Sequence, residues 1–333
     1  MNKSILSDGI VLLAKRPGIT SFYSLNSVKK ALGTGKVGHT GTLDSFAQGL
    51  LVVCTGRLTK LAGNITEFDK SYEAVIKFGE ETDTLEYTGK IIRSAPLPNL
   101  DSLTAAINKY TGKIMQSPPA FSALHVNGKR ASDLAREGKA VDLPPRPVTV
   151  FEAKITETKA NASGLIEYCK INFSVSKGTY IRCLARDIGK ECGSAAHLIC
   201  LYRTKVGNFK IEDSAGYNNL NDFTIDSALS QMNRDFSNLK IDDSALQEEI
   251  LKKKCSFDPE TAKLCGFSSV ILRDEQAEKK FCNGLPLNSS FFQSELKAFS
   301  QENILAVFSS AGQFKGLIEL QQNNNIKYKF VIQ

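Results

Sequence analysis

The stretch GHTGTLDSFAQGLL, at residues 38–51, runs from a polar segment directly into an apolar one. Gly38 and Gly41 bracket a His-Thr pair, and glycine tolerates backbone angles that other residues rarely adopt. The pattern therefore predicts a sharply bent loop, followed by a strand at 50–54. We expect this loop to hold the carboxylate of Asp44 in place.

Asp44 also has a simpler explanation. Aspartate is favoured at helix N-caps, and residues 45–48 could form the first helical turn. On this local pattern alone the helix cap is the better interpretation. A chemical role for Asp44 therefore needs support from elsewhere in the chain.

The composition is that of an ordinary globular protein. The chain has 333 residues, 42% of them apolar, which suits about two domains with buried cores. Its longest apolar runs, such as 10–14 and 304–308, are far shorter than the roughly 20 residues that a membrane span needs. Ser7 and Asp8 interrupt the first segment before a secretory core can form. We expect a cytoplasmic protein with no membrane segment.

The cysteines and histidines argue against a metal site. Eight cysteines are present without a C-x-x-C pair, and there are only three histidines. Structural zinc sites use closely spaced ligands of these two types, so we expect no metal. Reduced thiols are the simpler interpretation for a cytosolic chain.

Positive charge is concentrated in the first part of the chain. Residues 1–200 contain 26 Lys and Arg against 18 Asp and Glu, whereas residues 201–333 contain 16 against 17. A localised positive field suits a polyanionic partner such as RNA, although many enzymes without such a partner are equally basic. The basic excess and Asp44 both lie before residue 210. We therefore expect a chain that ends near residue 238 to retain its chemical activity.

Hydrophobic periodicity and turn residues predict a mixture of strands and helices. The predicted strands are 10–14, 50–54, 72–78, 121–126, 148–156, 166–175, 197–202, 270–272, 304–308, 316–320 and 328–332. The predicted helices are 21–32, 101–110, 131–137 and 181–192. A polar stretch at 213–243 predicts the connection between a first domain at 1–240 and a small β-rich domain at 241–333.

Two nucleotide-binding patterns can be excluded. Residues 33–38 read GTGKVG and match G-x-G-x-x-G. They follow a predicted helix rather than a strand, and no acidic residue lies about 20 positions further on. A phosphate-binding P-loop fails as well, because Lys36 is followed by Val37 and not by Ser or Thr.

Four segments in a fixed order carry a family resemblance. They are GHTGTLDSFAQGLL at 38–51, KSYEAVIKFGEETDT at 70–84, PPAFSALHVNGKRASDLAREG at 118–138 and SKGTYIRCLARDIG at 176–189. Together they resemble the bacterial tRNA pseudouridine-55 synthases of the TruB family. The resemblance implies an α+β pseudouridine synthase fold with a mixed, largely antiparallel sheet. It also implies a small β-rich, PUA-like RNA-binding domain at the C-terminus, which residues 270–333 resemble loosely.

The same resemblance assigns roles to six residues. It implies that Asp44 is the catalytic carboxylate and that Arg182 pairs with it, since a neighbouring cation favours the ionised form. It also implies that the T-loop uridine of tRNA is extruded from the RNA fold before it reaches Asp44. The remaining substrate-binding residues would be His39, which fills the vacated space, Tyr72, which stacks on the uracil, Tyr180, which contacts the base, and Leu201, which forms an apolar wall.

The implied reaction needs a positioned carboxylate and a closed pocket, and no cofactor. The implied partner is the T-stem-loop of tRNA, bound by a monomer. Two alternatives stay open: a non-catalytic RNA-binding protein with the same fold, and a pseudouridine synthase with another RNA target.

Some positions depart from the family pattern. The family usually has Pro directly after the catalytic Asp and Thr three positions beyond it, where this chain has Ser45 and Gln48. Its first motif usually reads K-P-x-G, and this chain has KRPG at 15–18. His125 stands where the family commonly has Lys. Ser45 and Gln48 leave open how rigidly Asp44 is held.

Overall fold

The structure is a computed structural model that describes residues 7–126, 128–139, 141, 143–234, 243–299, 304–321 and 325–332. Its strands are β1 (Gly9–Lys15), β2 (Val37–His39), β3 (Gln48–Thr55), β4 (Lys70–Phe78), β5 (Glu80–Thr82), β6 (Ile91–Ser94), β7 (Gly112–Gln116), β8 (His125–Val126), β9 (Lys129–Arg130), β10 (Arg146–Ala160), β11 (Ile166–Val175), β12 (Ala196–Val206), β13 (Phe209–Lys210), β14 (Ser268–Ile271), β15 (Ile304–Phe308), β16 (Phe314–Leu320) and β17 (Ile326–Val331).

The α-helices are α1 (Ser21–Leu32), α2 (Ala62–Thr66), α3 (Leu100–Lys109), α4 (Ala131–Arg136), α5 (Ile181–Glu191), α6 (Ile225–Met232), α7 (Ser244–Lys253), α8 (Pro259–Leu264) and α9 (Glu275–Cys282). Short 3-10 segments cover Gly56–Leu61, Ile211–Asp213, Tyr217–Asn219, Ser289–Phe291 and Leu296–Phe299. Among the described residues, no helix is both long enough and apolar enough to cross a bilayer.

A nine-stranded mixed sheet forms the centre of the molecule. Its strand order is β1-β3-β12-β4-β11-β10-β7, with β2 paired to β3 and β13 to β12. The β12–β3 pair is parallel, and the other pairs are antiparallel. A second sheet, in the order β14-β15-β16-β17, lies in the C-terminal part. The predicted α+β fold, with a largely antiparallel sheet and a β-rich C-terminal region, is confirmed.

Helix α1 begins and ends where its sequence predicts. The hydroxyl of Thr20 accepts a hydrogen bond from the backbone N–H of Tyr23, which caps the first turn. Gly33 ends the helix with a φ of 59°, a left-handed conformation that favours glycine. Leu25 and Val28 are buried on the inner side of the helix and pack against β3.

One face of the main sheet carries both α1 and α5. Side chains alternate along a strand, and register neighbours on adjacent strands point to the same side. Arg203 of β12 lies beside Gly49 of β3 and opposite Tyr72 of β4. Leu51 points to the same side of the sheet as Gly49 and packs against α1. Leu201 points to the same side as Arg203 and belongs to the buried cluster that includes residues of α5. The two helices therefore flank the same surface, which we call the site face.

The opposite face of the sheet joins the two parts of the chain. Ile10 and Leu50 from its first strands share one buried cluster with Phe257 and Phe308 from the C-terminal part. The backbones of Ile10 and Cys255 also exchange two hydrogen bonds, at 3.0 and 2.9 Å. Loss of the tail would expose this shared core, which the charge split does not anticipate. The predicted domain boundary at 240 lies outside the described residues.

Two predictions about local structure need correction. The predicted strand at 121–126 is wrong except at His125–Val126. Carbonyls of this segment instead accept backbone N–H groups from the start of α4, including a 2.7 Å bond from Ala131 to Leu124. The predicted connection at 213–243 contains helix α6, which a Thr224 capping box begins.

Candidate active site

Residues 40–47 form an irregular loop between β2 and β3 on the site face. Gly41 has a φ of 156°, a backbone angle that favours glycine, as the sequence predicts. Gly38 has no positive φ, so the prediction is wrong for that residue. No helix follows Asp44, whose carbonyl instead accepts a turn hydrogen bond from Ala47. The helix-cap interpretation of Asp44 is therefore wrong.

The carboxylate of Asp44 forms a two-point ion pair with Arg182 in the first turn of α5. The Nε–Oδ2 distance is 3.0 Å and the Nη2–Oδ1 distance is 3.2 Å. Arg182 also donates to the carbonyls of Thr84 and Phe121, both at 2.9 Å. Its side chain is 6% exposed, against 33% for Asp44. A buried, fully engaged guanidinium thus fixes a carboxylate that solvent or a ligand can reach.

The loop is anchored to the first turn of α1 and to β1. The hydroxyl of Ser21 donates to the carbonyl of Leu43 at 2.9 Å and accepts from its N–H at 2.8 Å. The buried Lys15 donates to the carbonyls of Ser45 and Ala47, at 3.2 and 2.6 Å. Burial lowers the pKa of Lys15 to about 7, although the negative charge of Asp44 acts in the opposite direction.

Arg203 is a second buried arginine beneath the loop. It donates to the carbonyls of Leu50 at 2.8 Å, Gly41 at 3.1 Å and Thr42 at 3.3 Å. Its neighbour across β4 is Tyr72. Arg203 therefore ties the loop to the sheet at the point where the predicted stacking residue lies.

His39 lies at the start of the loop, at the end of β2. Its Nδ1 accepts a hydrogen bond from the N–H of Gly41 at 3.4 Å, so it contacts the loop backbone rather than Asp44. Burial, and then the positive charge of Arg203, lower the pKa of His39 below its ordinary value. A neutral imidazole is therefore the form expected at neutral pH.

The other substrate-binding candidates come from β4, from β12 and from the residue before α5. Tyr72 is partly buried and packs against the cluster that contains Leu43, Phe46 and Leu201. Tyr180 directly precedes α5, and its backbone N–H and carbonyl both pair with the Gln116 amide. Burial raises the pKa of the Tyr180 hydroxyl. Sequence segments that are far apart thus converge on one surface.

Three charged residues of this site have no role in the sequence-based prediction. Lys15 and Arg203 lie in otherwise apolar strands, a signal that could have marked them as buried polar anchors. Glu86 is the third: burial and the neighbouring charge of Asp44 raise its pKa, while Arg182 lowers it. The segment TDTLEYTG at 82–89 offers no periodicity that would place this carboxyl beside Asp44.

The two departures at Ser45 and Gln48 leave the loop well anchored. The Ser45 carbonyl accepts from the N–H of Gly18 at 2.8 Å as well as from Lys15. The side-chain amide of Gln48 donates to the carbonyl of Asn221 at 3.2 Å, and that of Gln231 donates to Phe46 at 3.3 Å. Backbone carbonyls, rather than a proline ring, therefore fix the chain on both sides of Asp44.

No group of three or more potential metal ligands occurs within the described part of the chain. The eight cysteines are free thiols. The site offers carboxylate, guanidinium, phenol and imidazole groups around a reachable Asp44, which suits chemistry that uses a carboxylate as nucleophile or base.

Comparisons with known proteins agree with this architecture. A solved structure described as "Crystal Structure of a Cbf5-Nop10-Gar1 Complex" superposes with a TM-score of 0.64 at 20% identity, covering 98% of this chain and 85% of that one. At that identity the likeness shows the fold alone. The likeness therefore supports the architecture described above and assigns no activity.

Sequence relatives identify the family of this chain. The profile described as "TruB family pseudouridylate synthase (N terminal domain)" matches residues 29–181. A "tRNA pseudouridine synthase B" of Treponema denticola is 41% identical over 317 residues, covering 88% of this chain and 86% of the relative. One from Francisella philomiragia is 41% identical over 236 residues, covering 70% and 76%. The chain belongs to the TruB family of pseudouridylate synthases.

Proposed function

We propose that the protein converts the T-loop uridine of tRNA, at position 55, into pseudouridine. Relatives named tRNA pseudouridine synthase B, with high coverage of both chains, support tRNA as the substrate. The observation that carries the proposal is the Asp44–Arg182 ion pair, in which the carboxylate stays reachable on the site face.

The reaction replaces one bond between ribose and uracil by another. The ribose C1′–N1 bond breaks, the uracil rotates, and a C5–C1′ bond forms, while the C5 proton is lost and N1 gains one. Asp44 can serve by attacking C1′, by adding to C6, or by taking a proton from the ribose. Each route needs a carboxylate held in a fixed position, and the two-point ion pair with Arg182 holds Asp44 in this way.

The uridine must leave its RNA stack before it reaches Asp44, at a cost of a few kcal/mol. In this proposal Tyr72 stacks on the extruded uracil, and Leu201 closes the pocket from the apolar side. His39, as a neutral imidazole, packs into the space that the base leaves. These contacts offset the cost of extrusion and keep the freed uracil close to C1′.

Tyr180 and the C-terminal part complete the proposal. The half-buried Tyr180 hydroxyl, whose pKa is raised by burial, stays protonated at neutral pH and can donate a hydrogen bond to the uracil. The β-rich region from β14 to β17 would act as the PUA-like module and contact a second part of the tRNA. Such contacts add affinity rather than chemistry.

The test is to incubate the purified protein with a tRNA transcript and to map pseudouridine at single-nucleotide resolution. A transcript with cytidine at position 55 is the matched control. We expect modification at position 55 and nowhere else, and none in the control. Binding without modification would favour the non-catalytic alternative. The same mapping on total cellular RNA, with modification of another RNA in place of tRNA, would favour a different target.

A further inference from the structure

The outer side of α1 has a composition that the proposed chemistry does not use. Phe22 is 68% exposed, which is unusual for a phenylalanine. The ammonium of Lys29 lies 4.8 Å from the centre of the Phe22 ring. Lys30 and Lys36 are exposed nearby in the sequence, at the end of α1 and just before β2. An aromatic ring with a cation beside it is therefore presented to solvent, and two more exposed cations follow along the chain.

The charge of this segment is of one sign. Residues 9–43 contain five Lys and Arg and no Asp or Glu. Within the described chain, Lys29, Lys30 and Lys36 form no ion pair, whereas Arg16 pairs with Asp243 at 3.6 Å. Tyr23 lines a small cleft together with Arg16 and Asp243. The outer face of α1, which carries Phe22, Lys29 and Lys30, thus suits a polyanion.

The position of Phe22 connects it to the catalytic loop. Ser21, the preceding residue, exchanges two hydrogen bonds with Leu43, which precedes Asp44. Helix α1 also lies on the site face, on the side of the loop away from α5. An RNA whose uridine reaches Asp44 between these two helices therefore passes close to the first turn of α1.

We propose that Phe22, Lys29, Lys30 and Lys36 form an RNA-contact surface for the nucleotides that flank the target uridine. The ring of Phe22 packs against a base or ribose, and the lysines contact phosphates. This inference rests on the proposed function, because it assumes that the same RNA occupies Asp44. It assigns affinity, and no step of the reaction, to α1.

The test uses full-length protein and a tRNA transcript. Phe22→Ala should raise the Kd about tenfold, as loss of one stacking contact does. Replacing the three lysines together by Gln should make the slope of log Kd against log salt shallower by about two to three. The kcat at saturating RNA should stay within about twofold in both variants, because the contacts act on binding alone. Phe22→Tyr, which keeps a ring, should bind like the wild type.

The control lies on β10, where Lys154 is also exposed. Lys154 stands between Ala153 and Ile155, which pack against the cluster on the site face, so it points to the opposite face. Lys154→Gln should leave Kd and salt slope unchanged. The inference is overturned if the α1 variants bind like this control while the wild type modifies tRNA. It is also overturned if they alter self-association in sedimentation instead of RNA affinity. Failure of the proposed function looks different: the wild type then makes no pseudouridine at position 55.

Discussion

The catalytic part and the C-terminal part of the molecule are stabilised in different ways. Within the described part of the chain, the buried charged side chains all lie in the first part: Lys15, Lys70, Glu81, Arg182 and Arg203. Among the described residues beyond β12, no charged side chain is fully buried, and the core is built from aromatic and aliphatic groups such as Phe281, Phe292 and Val307. Burial of charge is costly unless each group has partners.

This difference in buried charge corresponds to a difference in the backbone that each core stabilises. Three of the five buried charges contact the 40–47 loop, through carbonyls or through Asp44 itself. They fix a backbone that has no regular secondary structure. The C-terminal core fixes regular strands, for which apolar packing is sufficient. Its aromatic groups also extend into the core beneath β1 and β3, so the two parts are not independent in stability.

The shared core can be tested by removing the tail, and here we expect the largest effect. A chain that ends before α7 exposes several large side chains, each worth about 1.5 to 3 kcal/mol when buried. We expect no cooperative thermal unfolding in such a chain, measured by circular dichroism. Full-length Phe281→Ala is the control, because it disrupts the C-terminal core alone and should cost about 3 to 5 kcal/mol without lowering kcat. A stable, active truncated chain would show that the two parts fold separately.

Arg203→Met should destabilise the protein by about 3 kcal/mol, since three backbone carbonyls, of which that of Leu50 is buried, lose their donor. Activity should fall as well, because the loop beside Asp44 loses its anchor to the sheet. Lys205→Met, an exposed change in the same strand, is the control for lost charge. Urea denaturation and kcat measure the two effects. Equal stabilities for the two variants would mean that the buried arginine does not hold the loop.

Lys15 should make the free energy of unfolding depend on pH. Its pKa is about 7 in the folded state and about 10.5 in the unfolded chain, so the unfolded chain binds more protons between these values. Lys15 should therefore contribute a part of the free energy of unfolding that rises with pH from about 7 towards 10, and Lys15→Met should lack this contribution. Urea denaturation of both proteins at pH 7 and pH 9.5 measures the difference. Parallel pH profiles would indicate that Asp44 and the carbonyls of Arg16, Ser45 and Ala47 keep Lys15 charged.

Tyr72 should give the smallest of these effects. Tyr72→Ala should lower kcat/KM by an amount equivalent to about 1 to 3 kcal/mol, the value of one base stacked on an aromatic ring. Tyr72→Phe should have little effect, because stacking needs the ring and not the hydroxyl. Steady-state kinetics on a tRNA transcript compares the two. Equal defects would assign the function to the hydroxyl.

Much of this architecture could be predicted from sequence. The strands at β1, β3, β4 and β11 follow from apolar periodicity, and α1 follows from its cap and its terminal glycine. Only the family resemblance predicts the Asp44–Arg182 ion pair, because 138 residues separate the partners along the chain. No local pattern encodes such a contact.

The remainder depends on tertiary packing. Arg203 sits in a strand whose other residues are mostly apolar, and only the register with β3 brings it beneath Gly41. The segment at 121–126 has strand-like residues, but its carbonyls are used by Arg182 and α4 instead of a sheet partner. The shared core could not be foreseen, because the continuous apolar runs of β1 and β3 show that both faces of these strands are buried and do not show what covers each face.

The central claim is that Asp44 performs the chemistry, and Asp44→Asn tests it most directly. This change keeps the size of the side chain and removes its charge, and Asp101→Asn, in the exposed first turn of α3, is the matched control. Pseudouridine formation and Kd for the same tRNA transcript should be measured for both variants. We predict no detectable pseudouridine for Asp44→Asn, a Kd within about tenfold of wild type because phosphate contacts dominate affinity, and wild-type behaviour for Asp101→Asn. Turnover by Asp44→Asn at a rate near that of the wild type would contradict the assignment.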